Sequence, residues 1–372
     1  MTKAAELAKM GEVLTNSQIG GRRNIIINGG MQCSQRSTSE TAQHTSGYLT
    51  LDRFNFNFVN EDELRTTLTQ ASEGPDGFAN SLKVQTTKPE SAVAADEEFR
   101  VIYKVEAQDL QQLKFGTSAA ERITVSFYVR SSVAATYGFN LYQNDANKVN
   151  GQAYTINSAN TWERKTLTFI GNTSDVINDD NGIGMQLNWF LMAGSNFTSG
   201  SNSGWETFAT AKHAVGHNAN AVVTTTNATW QITGVQLEIG SVATPFESRS
   251  FGEELELCKR YFHKLVATGP YQKFAVGVAF TTDDCMFVFK FNPEMRGVPT
   301  LDHGTLSKLV VTDNDLSGEA IGSLAIDTNT DGPQGVSVKA ADITSDVMTA
   351  GDATILNADN DVDAFLAFDA EL

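Results

Sequence analysis

The chain has 372 residues and a formal net charge of −17. Charged residues are only 19% of it, while Ser, Thr, Asn and Gly are abundant and Val, Ile, Phe and Thr recur in short runs, a mix that suits β-sandwiches or barrels more than helical bundles. Residues 264–372 hold 17 acidic against 6 basic side chains, a net of −11 that leaves −6 for the rest; such a chain repels phosphate rather than releasing its counterions, which argues against nucleic-acid binding.

In chain order, residues 3–14 (KAAELAKMGEVL) predict a short helix with Leu7, Met10 and Leu14 on one face. A helix this short is marginal alone, so that face is a candidate for docking onto its own domain or a partner. Gly20–Arg23 follow as a linker. From Asn24 to about Ser248 the pattern is strands and polar turns without α/β alternation. Ile25–Ile27 predicts a buried strand, and strands are expected at 82–85, 100–105, 123–130, 138–142, 162–169, 185–191 and 230–238. Eight or more such strands predict a jelly roll of two packed antiparallel sheets. Period two in the last strand would set Trp230, Ile232, Gln236 and Glu238 on one face and Val235, Leu237 and Ile239 on the other. Residues 192–220 form a long loop rich in Gly, Ser and Asn, the kind that tends to carry function or mobility.

Ser250 and Glu253 form an S-x-x-E capping box that opens a helix. Leu255, Cys258, Phe262 and Leu265 then recur at 3, 4, 3 spacing, an apolar seam for oligomerisation or packing. Beyond it a second, acidic β region begins with a hairpin, 274–280 and 285–291 across 281–284, and closes on a strand near 364–372. The domain plan is therefore 1–23 as helix and linker, 24–248 as jelly roll, 249–265 as linker helix and 266–372 as C-terminal β domain. No internal repeat is present, which disfavours a β-helix or a propeller.

Chemistry-bearing motifs are sparse. Cys33, Cys258 and Cys285 are far apart with no CxxC, so they read as buried free thiols in a reducing cytoplasm and not as a disulfide framework or zinc site. His213 and His217 have the spacing of metal ligands on a helix turn, but Ala214 stands where a zincin needs Glu; solvated loop histidines are the plainer reading. Asp327–Gly332 resembles the first half of a calcium loop but has Val338 at the twelfth position, so an acidic turn is favoured. Asn357, Asp359, Asp361 and Asp363 alternate as they would on one strand face, where they bridge a cation or blunt an edge. Neither a cofactor nor a catalytic residue is predicted, and paired carboxylates for glycan cleavage have nothing to single them out. Trp205, alone in the polar loop, is the candidate aromatic platform for a glycan; pinning the loop to the domain is the alternative. The N-terminus lacks the apolar core and A-x-A site of a signal peptide, and no apolar run approaches the ~20 residues of a membrane helix.

Several segments together resemble a family of phage virion proteins, often described as tail-fibre or carbohydrate-binding-like structural proteins and frequent in marine phages. They are Asn24–Gln32 with Gln35 and Arg36; Tyr48 and Asp52–Phe54; Trp162; Trp230–Gly240 running into Ala243–Glu247; Glu253–Phe262; and Met295, Arg296, Pro299, Thr300 and Asp369–Leu372. Phe54 departs from the Trp that the family often has there. The resemblance implies a jelly roll similar to carbohydrate-binding modules, in a trimeric or otherwise symmetric assembly on the virion. It implies a non-enzymatic protein assembled in the host cytoplasm. Its N-terminal segment would meet other virion proteins, and host surface glycans are a possible ligand. A tail-fibre or adhesion role, a head decoration, head-fibre or connector role, and a glycan depolymerase all remain open.

Overall fold

The computed structural model describes Lys3 and residues 22–372, apart from 314–316, 328–331 and 345–347. The predicted helix face Leu7, Met10 and Leu14 lies outside the described residues, as does most of the Asp327–Gly332 turn. The chain forms two compact units, one ending at Glu254 and including Leu372, the other spanning Leu255–Glu371.

The first unit holds twelve strands: β1 (Ser39–Gln43), β2 (Phe54–Val59), β3 (Arg65–Ala71), β4 (Ser81–Lys88), β5 (Glu98–Glu106), β6 (Ile123–Ser131), β7 (Thr136–Gln143), β8 (Lys148–Thr155), β9 (Glu163–Phe169), β10 (Ile183–Ala193), β11 (Glu206–Thr207) and β12 (Thr229–Ile239). They make two six-stranded antiparallel sheets, ordered β1-β3-β4-β12-β6-β9 and β11-β8-β7-β10-β5-β2. The fold is the expected jelly-roll sandwich. Alternate residues of both sheets supply its core, among them Phe56, Val101, Phe127, Phe139, Leu187, Trp189, Trp230 and Ile232. Phe127 and Phe139 meet the Trp189 ring edge-on at 5.8 and 5.1 Å, a geometry that adds to the burial of apolar area.

The 25–27 segment is not a strand. Ile25 N–H donates to the Leu237 carbonyl, but the Asn24 side chain takes the N–H groups of Ile26 and Leu237, and only Ile26 of the three isoleucines is fully buried. The strands that sequence missed, β1, β3, β8 and β11 among them, are rich in Thr, Asn, Gln and Glu; their partners hold them, not their own apolar content.

In β12 the expected facing fails halfway. Register slips between Thr233 and Gln236, with Gly234 at φ 62°. This bulge inserts a residue and reverses the phase of everything after it. Trp230, Ile232, Val235 and Leu237 all enter the core, while Gln231, Thr233, Gln236 and Glu238 are buried on the other face.

The second unit carries β13 (Phe262–Val266), β14 (Lys273–Ala279), β15 (Cys285–Lys290), β16 (Thr300–Asp302), β17 (Leu309–Thr312), β18 (Gly318–Ala320), β19 (Ser323–Ile326), β20 (Gly335–Ala341), β21 (Ala353–Ala358) and β22 (Phe365–Asp369). They form a three-stranded sheet β13-β22-β16 and a seven-stranded sheet β18-β17-β21-β14-β15-β20-β19. The expected β14–β15 hairpin is present. Phe289 and Phe291 pack on Phe368 of the final strand, with centroids 5.1 and 5.0 Å apart.

The capping box forms as read: Ser250 N–H donates to Glu253 Oε2 at 2.9 Å, and Glu253 N–H returns to Ser250 Oγ at 3.3 Å. The helix, however, runs only from Phe251 to Lys259. Phe262 and Leu265 therefore do not continue a helical seam with Leu255 and Cys258; they lie on β13, paired with Asp369 and Leu366 of β22. The aromatic and β-favouring run after Arg260 finds a ladder partner, and that outweighs one more helical turn. Cys258 and Phe262 are buried, and Leu255 and Leu265 are half-buried. All three cysteines are buried and stand outside any disulfide.

Candidate functional site

The landmark residues of the first unit converge on one buried polar clasp. Asn24 Oδ1 accepts from Ile26 N–H at 3.0 Å and Leu237 N–H at 3.1 Å, and its Nδ2 donates to the Val235 carbonyl at 3.1 Å. Asn28 Oδ1 accepts from the N–H groups of Gln32 (2.8 Å) and Cys33 (2.9 Å), while Nδ2 donates to the carbonyls of Cys33 (2.8 Å) and Asp52 (3.0 Å). Its φ of 60° is one that Asn tolerates better than most residues. Asp52 receives the backbone and side-chain N–H groups of Gln35, and Arg53 donates to the Lys104 carbonyl at 2.7 Å with its guanidinium 5.4 Å from the Tyr103 ring.

From the other end of the unit, Arg249 donates to the Ile26 carbonyl and to Glu254 Oε1, and Glu254 Oε2 accepts from Asn28 N–H. Glu238 is taken by Thr244 and Gln236, and Gln236 Oε1 by Glu247 N–H. The motif is a closure that sews the chain start to its last strand. Its carboxylate and amide oxygens are largely engaged within the clasp. In the second unit Arg296 does similar work, donating to the carbonyls of Ala370 (2.7 Å) and Glu371 (2.9 Å).

The 194–220 segment is ordered against the sheet that contains β10, β7 and β5. It carries the turn Ser195–Thr198, β11 and a 3-10 turn at Thr210–Lys212. Trp205 is half-buried in it. Its indole N–H donates to the Ile170 carbonyl at 2.7 Å, and its ring meets Phe115 edge-on at 5.5 Å. The indole N–H and one ring edge thus tie the loop to the domain.

His213 and His217 are not solvated: they are 8% and 7% exposed. Arg100 Nη1, which only donates, lies 2.7 Å from His213 Nε2 and 3.0 Å from Nδ1; because Nδ1 faces the Glu98 carboxylate, which only accepts, the neutral ring accepts at Nε2. The proton is then on Nδ1, 2.8 Å from Glu98 Oε2, and Arg100 also pairs with Glu98 Oε1 at 2.7 Å. Burial, with the nearby Arg100 charge, holds His213 below its ordinary pKa against the pull of Glu98. Burial pushes Glu98 up, but its bonds to His213 and Arg100 prevail and keep it below the usual carboxylate range. His217, which accepts Gly138 N–H and meets Asn220 Oδ1, is pushed by burial to about 4. Both imidazoles are neutral at pH 7 and serve as clamps for the loop. Sheet glycines admit it: a Cβ on Gly138 would stand 3.2 Å from the Cβ of His217.

The Asn357–Asp363 alternation does not share a strand face. Strand β21 ends at Ala358, and Asp361 and Asp363 fold back on Lys308 at 3.4 and 3.3 Å. Among the described residues no group of three or more His, Cys, Asp or Glu is arranged to hold a metal ion. No described helix is long and apolar enough to cross a membrane.

A feature invisible to motif reading gathers Glu61, Asp62, Glu90 and Glu97 from the loops on either side of β3 and β4. The Glu61 side chain is 3% exposed, its Oε2 has no hydrogen-bond partner, and Arg65 lies 3.8 Å away. Burial pushes Glu61 up to about 7; Arg65 opposes this, and Glu90, Asp62 and Glu97 add to it. A carboxyl with a folded-state pKa above its unfolded value loses stability as pH rises between the two. Glu61→Gln is therefore expected to stabilise the protein by about 1–2 kcal/mol at pH 8, after allowance for solvent screening, and by nothing measurable near pH 4.5. Urea unfolding at both pH values checks this; an equal gain at both would refute it.

No protein-family model matches the chain, and no curated protein matches it. Among solved structures it is similar to the enzymatically active domain of bacteriophage CBA120 tailspike protein 4, with 9% identity over 58% of this chain and 21% of that one, at a TM-score of 0.30. This chain thus spans about a fifth of the tailspike's length. It is also similar to TmCBM61 in complex with beta-1,4-galactotriose (8% identity, 59% and 100% covered, TM-score 0.29). A third is the Clostridium thermocellum family 11 carbohydrate-binding module in complex with a mixed-linked tetrasaccharide (10% identity, 56% and 99% covered, TM-score 0.28). At these scores the likenesses decide nothing about function; the jelly roll stands on its own strand pairing.

Proposed function

We propose that this chain is a non-enzymatic structural protein of a bacteriophage particle, a tail-fibre or adhesion component that displays its jelly roll toward host surface glycans. The supporting observation is the clasp. The residues that resemble phage virion proteins, drawn from both ends of the first unit, meet in one place and act together as a closure. The resemblance therefore follows a shared construction and not a scattered composition. A catalytic reading gains no support from Glu98, whose two oxygens are held by Arg100 and His213.

In this reading Leu7, Met10 and Leu14 attach the protein to other virion proteins, and the assembly is a homotrimer whose avidity turns weak glycan contacts into useful ones. Deleting residues 1–21 is expected to abolish incorporation into particles while leaving the thermal melt of the purified protein within a few degrees. Antibody labelling of intact particles locates the protein. Label at the tail tip supports the adhesion role, label on the head favours decoration, and absence from the particle refutes both.

A further inference from the structure

A groove of about 570 Å³ in the first unit is lined by Val133, Ala135, Thr136, Thr155, Asn157 and Asn218, with Ala134, Ile156 and Ala221 completing its wall. Its size is that of a small-ligand site. No charged side chain lines it. Its surface combines aliphatic patches with hydroxyls and two side-chain amides.

Both amides are locked. Asn218 Oδ1 accepts Thr136 N–H at 2.9 Å, and the Asn218 backbone N–H returns to the Thr136 carbonyl at 2.9 Å. That fixes which end of the amide is oxygen and leaves Nδ2 as a donor with no partner among the described residues. Asn157 has the opposite polarity: its Nδ2 donates to Glu163 Oε2 at 2.8 Å and its backbone N–H to Glu163 Oε1 at 2.8 Å, leaving Oδ1 as an acceptor. Glu163 is itself held by Lys165 at 2.6 Å and by Ser158 N–H at 2.9 Å. Between the amides, the Thr136 and Thr155 hydroxyls pair at 2.9 Å.

We infer that this groove is a binding site for a neutral glycan, with Asn218 Nδ2 donating to one sugar hydroxyl and Asn157 Oδ1 accepting from another while sugar C–H faces rest on Val133, Ala135 and Ala221. Sugar hydroxyls both donate and accept, and a preorganised donor and a preorganised acceptor answer them with little ordering cost. The net charge of −17 selects against uronate- or sialate-bearing chains. The inference rests on the adhesion reading and names a site apart from Trp205.

Saturation-transfer NMR tests it, with the full chain and neutral probes: galactotriose, cellotetraose and chitotetraose, and trigalacturonate as the anionic control. At least one neutral probe is expected to give saturable transfer and trigalacturonate none. Asn218→Asp keeps the acceptor for Thr136 N–H but removes the donor, and should weaken binding at least tenfold. Ala221→Trp fills the groove from an exposed position and should abolish binding. Thermal melts confirm that each variant folds, and either folded variant alone suffices to decide. Undiminished binding in a folded variant overturns the groove while leaving glycan adhesion standing; no transfer from any neutral probe to the wild type overturns the groove and the glycan part of the adhesion reading, but not the virion location.

Discussion

Replacing Gly29 by alanine is expected to destabilise the first unit by more than about 4 kcal/mol, enough to leave a marginally stable domain largely unfolded at 37 °C. An added Cβ would stand 2.1 Å from the Val235 carbonyl oxygen, a backbone atom of β12 with no rotamer through which to escape. That carbonyl also accepts Asn24 Nδ2, and Val235 N–H donates to the Gly29 carbonyl at 3.0 Å. Making room for one methyl group therefore opens several hydrogen bonds at the centre of the clasp and leaves buried polar groups unpaired, each at about 1–3 kcal/mol. Gly252→Ala is the control, because nothing lies within 4 Å of its added Cβ. Denaturant unfolding of the two variants is the measurement. A Gly29→Ala protein as stable as the control would mean that the clasp yields and does not hold the unit together.

Replacing Gly234 by valine is the second large effect, and insoluble or unfolded protein is its expected outcome: a β-branched residue is strained at φ 62°, and its Cβ would stand 2.7 Å from the Phe78 ring, so the bulge cannot form. The bulge at this residue is what lets Trp230 and Ile232 on one side and Val235 and Leu237 on the other reach the same core. Without it, strict alternation would carry Gln236 and Glu238 inward and Val235 and Leu237 outward. Burying a carboxylate and an amide in an apolar core while exposing two aliphatic side chains costs about as much as a whole domain's stability. Circular dichroism and amide NMR dispersion of soluble material would show it. A native-like spectrum with an unchanged melt would mean that the bulge accommodates a β-branched residue, and would contradict the role given to Gly234.

Both effects lie in segments that already stood out as sequence, yet their meaning changed with the fold. Trp230–Gly240 was legible as the closing strand of a jelly roll, and its composition is that of a strand. Its facing escapes the sequence because period two has no marker for an inserted residue; only the cross-strand pairing with β6 reveals that Thr233 and Gln236, three residues apart, oppose Tyr128 and Ser126, two apart. Ile25–Ile27 shows the reverse error. Three β-branched residues suggest a strand, but Asn24 and the neighbouring β12 take the hydrogen bonds that a ladder would use.

What the chain determined by itself was local and compositional. The β class follows from short β-favouring runs and turns, the capping box at Ser250 from a side-chain and backbone pair three residues apart, and the β14–β15 hairpin from contiguous residues. The end of the helix at Lys259 was decided elsewhere, by β22 some hundred residues on, which offers Phe262–Val266 a ladder. Tertiary structure alone turned His213 from a loop residue into a buried clamp, tied the Trp205 indole to the Ile170 carbonyl, concentrated carboxylates around Glu61, and set Asn157 opposite Asn218 in polarity across one groove. The physical reason is the same in each case: burial, pKa and the direction of an amide depend on which distant atoms arrive beside a group, and spacing along the chain does not encode them.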